Sequence, residues 1–189
     1  MYKWSWLPAL LIGGNLSWAD CTLPARVIEH FPQPIESQRL LLPGRAKLQF
    51  ELGQGTRTFA HVGDMLLVKY EDGALLSHRI LDPDELRAAD SRLPLPDFVR
   101  LMFGPPIETP ESADLTDAKA HQDAIRIGCV SIEHYPLEGV DIYSYVQSRS
   151  DNTRYQAMFI LDGGDVHFVD IQGSETLAKR VVSTLSKRS

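Results

Sequence analysis

The chain has 189 residues, a formal net charge of −6 at pH 7 and two cysteines. This length suits one domain with a substantial core. Binding to nucleic acid or to anionic lipid depends on clustered Lys and Arg that displace counterions. The acidic excess and the lack of a basic run therefore argue against both kinds of partner.

The first 19 residues have the layout of a secretory signal peptide. Lys3 precedes an apolar stretch, residues 4–16, and the small residue Ala19 stands directly before a cleavage site ahead of Asp20. The stretch is short and is interrupted by Pro and Gly, which disfavours a membrane span. We expect residues 1–19 to be removed during export to the periplasm; secretion and an uncleaved membrane anchor are the alternatives.

The two cysteines, Cys21 and Cys129, are expected to form a disulfide, because an even pair usually bonds in an oxidising compartment. Lipid attachment at Cys21 is the alternative. A redox couple and a metal site fit less well, since the two residues are far apart in sequence and no further cysteine is present. Residues 20–189 are then expected to form a single α+β domain.

The first half of the chain reads mainly as strands joined by turns. A short strand or helical turn is predicted at residues 27–31. Alternating or β-branched runs predict strands at residues 46–52, 57–62, 65–70 and 74–81. The turns between them contain glycines at positions 44, 53, 55 and 73. The pattern predicts an antiparallel meander.

The middle of the chain changes to short helices. Helix-start chemistry, with Asp82 as the capping residue and proline after it, predicts a helix over residues 82–89. Further helices are predicted at residues 97–103 and 116–125, separated by a polar surface loop over residues 107–117. A strand carrying Cys129 is expected at residues 128–132.

The C-terminal part is the most regular. Strands are predicted at residues 140–146, 155–161 and 166–171; a polar loop follows the first, and a glycine turn joins the other two. Ser174 is placed to cap a helix, and Glu175 lies at its positive end. The helix has one apolar stripe, formed by Leu177, Ala178, Val181, Val182 and Leu185.

The order of elements predicts an α+β fold, an antiparallel sheet meander with helices packed on it and a C-terminal strand-helix unit. Residues 165–185, a closing strand followed by a Gly-preceded helix, resemble the Mog1/PsbP type of α/β/α sandwich. That resemblance implies such a sandwich. It also implies a binding or accessory role, because accessory and binding proteins dominate the family.

Motifs for nucleophilic hydrolysis, zinc proteolysis, phosphate binding and dinucleotide binding are not found in the sequence. Asp114, Asp117 and His121 would share one helix face and offer a divalent metal two carboxylates and an imidazole. The same stretch also reads as an ordinary solvated helix. We therefore expect neither a metal nor a cofactor.

Three histidines have both a catalytic and a structural interpretation. His61 and Asp64 flank a glycine and would make an acid-base pair at a strand end, or simply a turn with an incidental histidine. His134 and His167 read as surface and sheet residues. Bonded cysteines would supply no thiolate nucleophile.

Aromatic residues provide two candidate contact surfaces. Tyr143 and Tyr145 share one strand face and Tyr155 follows the loop, so they form either an exposed patch for protein contact or core beneath the C-terminal helix. Phe98, Met102 and Phe103 likewise either fill the core or reach a partner. Core filling is the preferred interpretation of both sets.

We therefore expect an exported, periplasmic binding or accessory protein that acts through protein–protein contacts. One alternative is an immunity protein or inhibitor of a toxin or hydrolase, whose acidic charge would suit a basic partner. Another is an enzyme of unfamiliar type that uses His61, Asp64 or His121. A pocket collecting such groups would favour the enzyme, and a single stoichiometric partner would favour the other two.

Overall fold

Strands joined in antiparallel order make up most of the protein, as seen in a computed structural model. It describes residues 25–34, 36, 38–55, 57–86, 93–105, 110–127, 129–148 and 154–188. The strands are β1 (Arg26–Val27), β2 (Arg39–Leu41), β3 (Leu48–Glu51), β4 (Arg57–Val62), β5 (Met65–Tyr70), β6 (Leu75–Ile80), β7 (Ile132–Leu137), β8 (Val140–Ser148), β9 (Arg154–Asp162), β10 (Asp165–Gln172) and β11 (Ser186–Lys187). The helices are α1 (Leu95–Phe103), α2 (Ser112–Ala124) and α3 (Glu175–Thr184).

Eight strands form one large sheet in the order β1-β7-β8-β9-β10-β6-β5-β4. The β1–β7 pair is parallel, and the other pairs in this sheet are antiparallel. A second sheet has the order β11-β3-β2. The predicted α+β class with a closing strand-helix unit is confirmed.

The large sheet is a middle layer, because successive side chains of each strand point to opposite faces. One face carries α3 and the small sheet over an apolar cluster that includes Ile142, Ile160 and Val169. The other face carries α1 and α2 over Phe159, Val166 and their neighbours. Two separate cores thus lie on either side of one sheet.

The C-terminal helix forms as its local sequence predicts. Ser174 Oγ accepts a hydrogen bond from the N–H of Leu177 at 3.1 Å, which satisfies an otherwise unpaired amide of the first turn. The predicted apolar stripe is buried against the sheet. The glycine turn before it is also confirmed, with Gly163 at a φ of 63° between β9 and β10.

The predicted helix over residues 82–89 is wrong where the structure describes it. Residues 82–86 form a turn in which Glu85 N–H donates to the Asp82 carbonyl at 3.0 Å. Glu85 Oε2 and Asp82 Oδ1 accept from nearby backbone amides, both at 2.9 Å, so side chains satisfy the backbone without a helix. Residues 87–89 lie outside the described part.

Two further boundaries differ from the predictions. Helix α2 begins at Ser112, so the C-terminal half of the predicted loop is helical. Cys129 lies in a turn before β7 rather than in a strand, and its N–H donates to the Arg126 carbonyl at 3.0 Å. Arg126 has a positive φ of 57°, which interrupts extended structure at this point.

Several N-terminal predictions concern residues outside the described part of the chain. The leader over residues 1–19 and Cys21 are among them, so the Cys21–Cys129 disulfide stays a prediction. Cys129 itself is not a free cysteine. The loop predicted over residues 148–153 lies outside at residues 149–153, and its first residue, Ser148, ends β8 instead. Among the described helices, none has the length and apolar character needed to cross a membrane.

Candidate functional site

Strand β4 is the outer strand of the large sheet and is exposed along most of its length. It stands last in the strand order, paired with β5. Five of its six residues are exposed, and only Arg57 is half-buried. Phe59 is 45% exposed and Val62 is 56% exposed. An exposed apolar edge strand of this kind is a template for pairing with another chain.

The strand is held at one end and projects at the other. Arg57 Nη1 donates to the Gly53 carbonyl at 2.6 Å, and Arg57 Nη2 donates to Gln38 Oε1 at 2.8 Å. Its guanidinium carbon also lies 6.0 Å from the centre of the Tyr70 ring. At the other end a two-residue turn joins Val62 to Met65. The start of β4 is therefore tied to the core while its end is surrounded by solvent.

The register of the hairpin decides which backbone groups of β4 face outward. Val62 and Met65 close a two-residue turn, and such a closing pair exchanges both of its hydrogen bonds. Alternation then directs the backbone groups of Phe59 and His61 away from β5. These groups are available to an added strand.

The predicted His61 and Asp64 pair lies at this hairpin, and both side chains are exposed. His61 belongs to β4 and Asp64 to the turn, so the two are held by different backbone segments. No hydrogen bond or ion pair joins them among the described residues. The interpretation as a turn with an incidental histidine fits this arrangement better than an acid-base pair.

The second set, Asp114, Asp117 and His121, lies on α2 without converging. Asp114 is only 1% exposed. The His121 ring instead packs edge-on against Phe98, with ring centres 5.8 Å apart. No cluster of three metal-binding side chains is found in the described part of the chain.

His134 joins a polar network that the sequence did not suggest. Its Nε2 lies 3.0 Å from Asp141 Oδ1, and Arg100 Nε lies 3.1 Å from the other oxygen of that carboxylate. The His134 ring stacks on Tyr143 at 4.6 Å. Burial, followed by the charge of Asp141, raises the pKa of Tyr143 to about 12. The network ties α1 to the β7–β8 hairpin.

Tyr143 and Tyr145 are core, as the preferred interpretation stated, but the helix above them is α1 rather than α3. Tyr143 and Tyr145 are 2% and 7% exposed, which overturns the exposed patch for these two residues. The Phe103 ring lies 5.9 Å and 6.0 Å from their ring centres. Tyr155 is half-buried and donates to Gln147. Phe98, Met102 and Phe103 are buried, so core filling is confirmed for them.

His167 belongs to a buried polar cluster with His78 and Asp162. His78 Nε2 and His167 Nδ1 are 3.1 Å apart and share a hydrogen bond. His167 Nε2 lies 4.0 Å from Asp162 Oδ2 and has no hydrogen-bond partner. The three residues are 7%, 0% and 3% exposed. No local pattern predicts this cluster, because its members lie on three strands.

An open cleft of about 490 Å³ lies between α3, the ends of β7 to β9 and residues 29–33. Its charged residues largely pair with one another. Glu175 accepts from Arg154 at 3.0 Å and from Lys179 at 2.9 Å. Charges satisfied within the protein do not define a ligand.

Comparisons with known proteins add little to this geometry. No protein-family model matches the chain, and no curated protein matches its sequence. A crystal structure from Bacteroides thetaiotaomicron VPI-5482, at 1.50 Å resolution, is similar with a TM-score of 0.38 and 11% identity. The similarity covers 82% of this chain and 50% of that one, so this chain spans about half its length. Likeness at this level carries no argument, and the Mog1/PsbP resemblance stays a prediction.

Proposed function

We propose that the chain is an exported, periplasmic accessory protein that binds another protein, and that β4 is the strand it uses. The observation that supports this proposal is the open edge of the large sheet, where Phe59 and Val62 are exposed beside unpaired backbone groups. A row of alternating N–H and C=O groups is complementary to another extended chain. The occupant is therefore an extended segment of the partner, added as a further strand.

The charge of the hairpin indicates which segment fits best. Strands β4 and β5 contain the cations Arg57 and Lys69 and no acidic residue, although the whole chain has a net charge of −6, and Asp64 lies in the turn between them. A segment with apolar residues and an acidic side chain complements this edge. A second copy is a poorer occupant, because the strand itself has no acid and the turn supplies only Asp64 to pair with Arg57 of that copy.

Export is supported by the predicted leader at residues 1–19, and the disulfide is expected as a consequence of export. The captured partner is then either a component with which the chain acts as an accessory protein, or a toxin or hydrolase. The latter partner would make the chain an immunity protein or inhibitor that works through the same edge.

Affinity capture from a periplasmic extract tests the proposal when wild type is compared with β4 variants. We expect one stoichiometric partner on wild type and its loss with Phe59→Ser or His61→Pro. Proline at His61 removes an outward N–H, and an edge strand tolerates proline there. Phe31→Ser is the matched control, since Phe31 is 68% exposed outside β4.

The proposal fails if the β4 variants retain the partner as well as wild type does. It also fails if wild type recovers only further copies of itself, because the edge would then serve self-association. Circular dichroism of each variant confirms that the sheet is intact.

A further inference from the structure

The turn between β2 and β3 closes over the buried cluster of His78, His167 and Asp162. The N–H of Ala46 lies 2.9 Å from both carboxylate oxygens of Asp162. Gly44 approaches so closely that a Cβ there would be 2.4 Å from Asp162 Oδ2 and 3.2 Å from His167 Nε2. The turn therefore seals the cluster from water through backbone contacts.

The hydrogen bonds at neutral pH follow from the chemistry of the two rings. A neutral imidazole has one donor and one acceptor nitrogen. If His78 Nε2–H donates to His167 Nδ1, then His167 carries its own proton on Nε2, directed toward Asp162. That nitrogen is buried, and the gap of 4.0 Å to Asp162 Oδ2 is too long for a hydrogen bond.

We propose that this cluster is an acid-responsive latch that holds the β2–β3 turn closed while the histidines are neutral. A first proton makes the pair cationic and draws Asp162 toward His167, away from the Ala46 N–H. A second proton places two N–H donors face to face and breaks the bond between the rings. Both steps favour a state in which the turn opens and water reaches the cluster.

Few charged or titratable groups surround the His78–His167 pair, so the direction in which its pKa values shift is clear. Burial lowers the pKa of both histidines, and each ring also faces the other. Asp162 and Asp165 oppose this effect at His167 through their charges but do not outweigh burial. Leu66 on β5 pairs with His78, and the turn contributes backbone from Gly44 and Ala46. The Arg45 side chain lies against Gly163 instead.

Amide hydrogen exchange measured residue by residue by NMR on the exported chain tests the latch independently of the proposed function. After correction for intrinsic exchange, the protection of Ala46 should fall by up to about tenfold per pH unit between about pH 6 and about pH 5, as expected for uptake of one proton. Amides in the centre of β9 exchange only when the whole protein unfolds, so they should stay more strongly protected than Ala46 throughout this range. His167→Gln should remove the pH dependence at Ala46, and His78→Gln, which keeps the His167 ring beside Asp162, should weaken it.

His61→Gln is the matched control, because His61 is an exposed histidine of the same sheet. A pH-dependent loss at Ala46 that persists unchanged in His167→Gln overturns the latch, as does protection that stays constant down to pH 5. If the variants do not fold, carbon-13 signals of the wild-type histidines decide the question. The pH at the midpoint of the His167 ring titration must then coincide with the midpoint of the pH-dependent change in the Ala46 amide signal. Separate midpoints overturn the proposal.

Discussion

Gly44 shows how one residue without a side chain makes a buried polar cluster possible. Its φ of 146° is a conformation that residues with side chains rarely adopt, and a Cβ at this position would lie 2.4 Å from Asp162 Oδ2. We expect Gly44→Ala to destabilise the protein by about 3 kcal/mol or more, since backbone strain adds to the loss of the Ala46 hydrogen bonds. Urea unfolding at neutral pH measures this free energy.

Gly55→Ala separates the two causes. Gly55 also has a positive φ, 105°, but nothing lies within 4 Å of a Cβ built there. Its substitution should cost about 1 to 2 kcal/mol from strain alone. Equal losses at both glycines would contradict a close approach between Gly44 and Asp162.

A second prediction for a single residue concerns the contribution of His78 to the pH dependence of stability. Burial and then the charge of His167 lower its pKa from 6.5 to about 4. Because the folded pKa lies below the unfolded one, this contribution is fully present above pH 6.5 and is lost as the pH falls toward 4. The unfolding free energy falls by about 3 kcal/mol as a result, because each unit of pKa difference corresponds to about 1.4 kcal/mol.

Unfolding free energies at pH 7 and pH 4.5 measure this dependence for wild type and His78→Gln. The variant should lose less stability between the two pH values, because it has no buried imidazole at this position whose protonation favours the unfolded state. His61→Gln should follow the wild-type curve. Identical slopes for wild type and His78→Gln would show that His78 is not buried in its neutral form.

At the scale of elements, α3 depends on a cap whose contribution can be isolated. Ser174→Ala removes the oxygen that accepts from Leu177 N–H and should cost about 1 kcal/mol. Ser183→Ala is the control within the same helix, because its hydroxyl only donates to the Arg180 carbonyl. We expect less than about 0.5 kcal/mol there. Chemical denaturation compares the two, and a larger loss at Ser183 would contradict the cap.

Two predictions about helices differ from the structure for the same reason. Residues 82–86 carry helix-start chemistry but use it to close a turn, and α2 extends beyond the pattern that predicted it. Helix α2 buries only Asp114 and Ala118, so it has no apolar stripe that a periodic pattern could indicate. Where packing contributes little, helix boundaries depend on tertiary neighbours.

At the scale of the whole molecule, export and the disulfide form one prediction. Intact-mass analysis of protein recovered from a periplasmic fraction should give a chain that begins at Asp20 and lacks two hydrogens. Reduction should then lower stability by about 4 to 5 kcal/mol on the chain-entropy model, which is an upper value. Cys129→Ser should give the same loss and make added reductant ineffective. A retained leader, or two free thiols, would contradict the prediction.

Sequence alone determined the pieces whose causes are local. The glycine turn between β9 and β10, the Ser174 cap and the stripe of α3 depend on neighbours a few residues away, and all three are confirmed. The β4–β5 hairpin that makes the candidate binding edge was predictable for the same reason. Its exposure was not, since exposure depends on which strands lie beside it.

Only the tertiary structure decided how the pieces meet. β6 pairs with β10, β1 lies parallel to β7, and β11 joins β3, all across long separations that no local pattern encodes. The pairing of β6 with β10 brings His78 beside His167. Local hydrogen bonds and periodicity fix an element, whereas its partners are chosen by burial of apolar surface over the whole chain. The open edge and the buried histidine pair both follow from that choice.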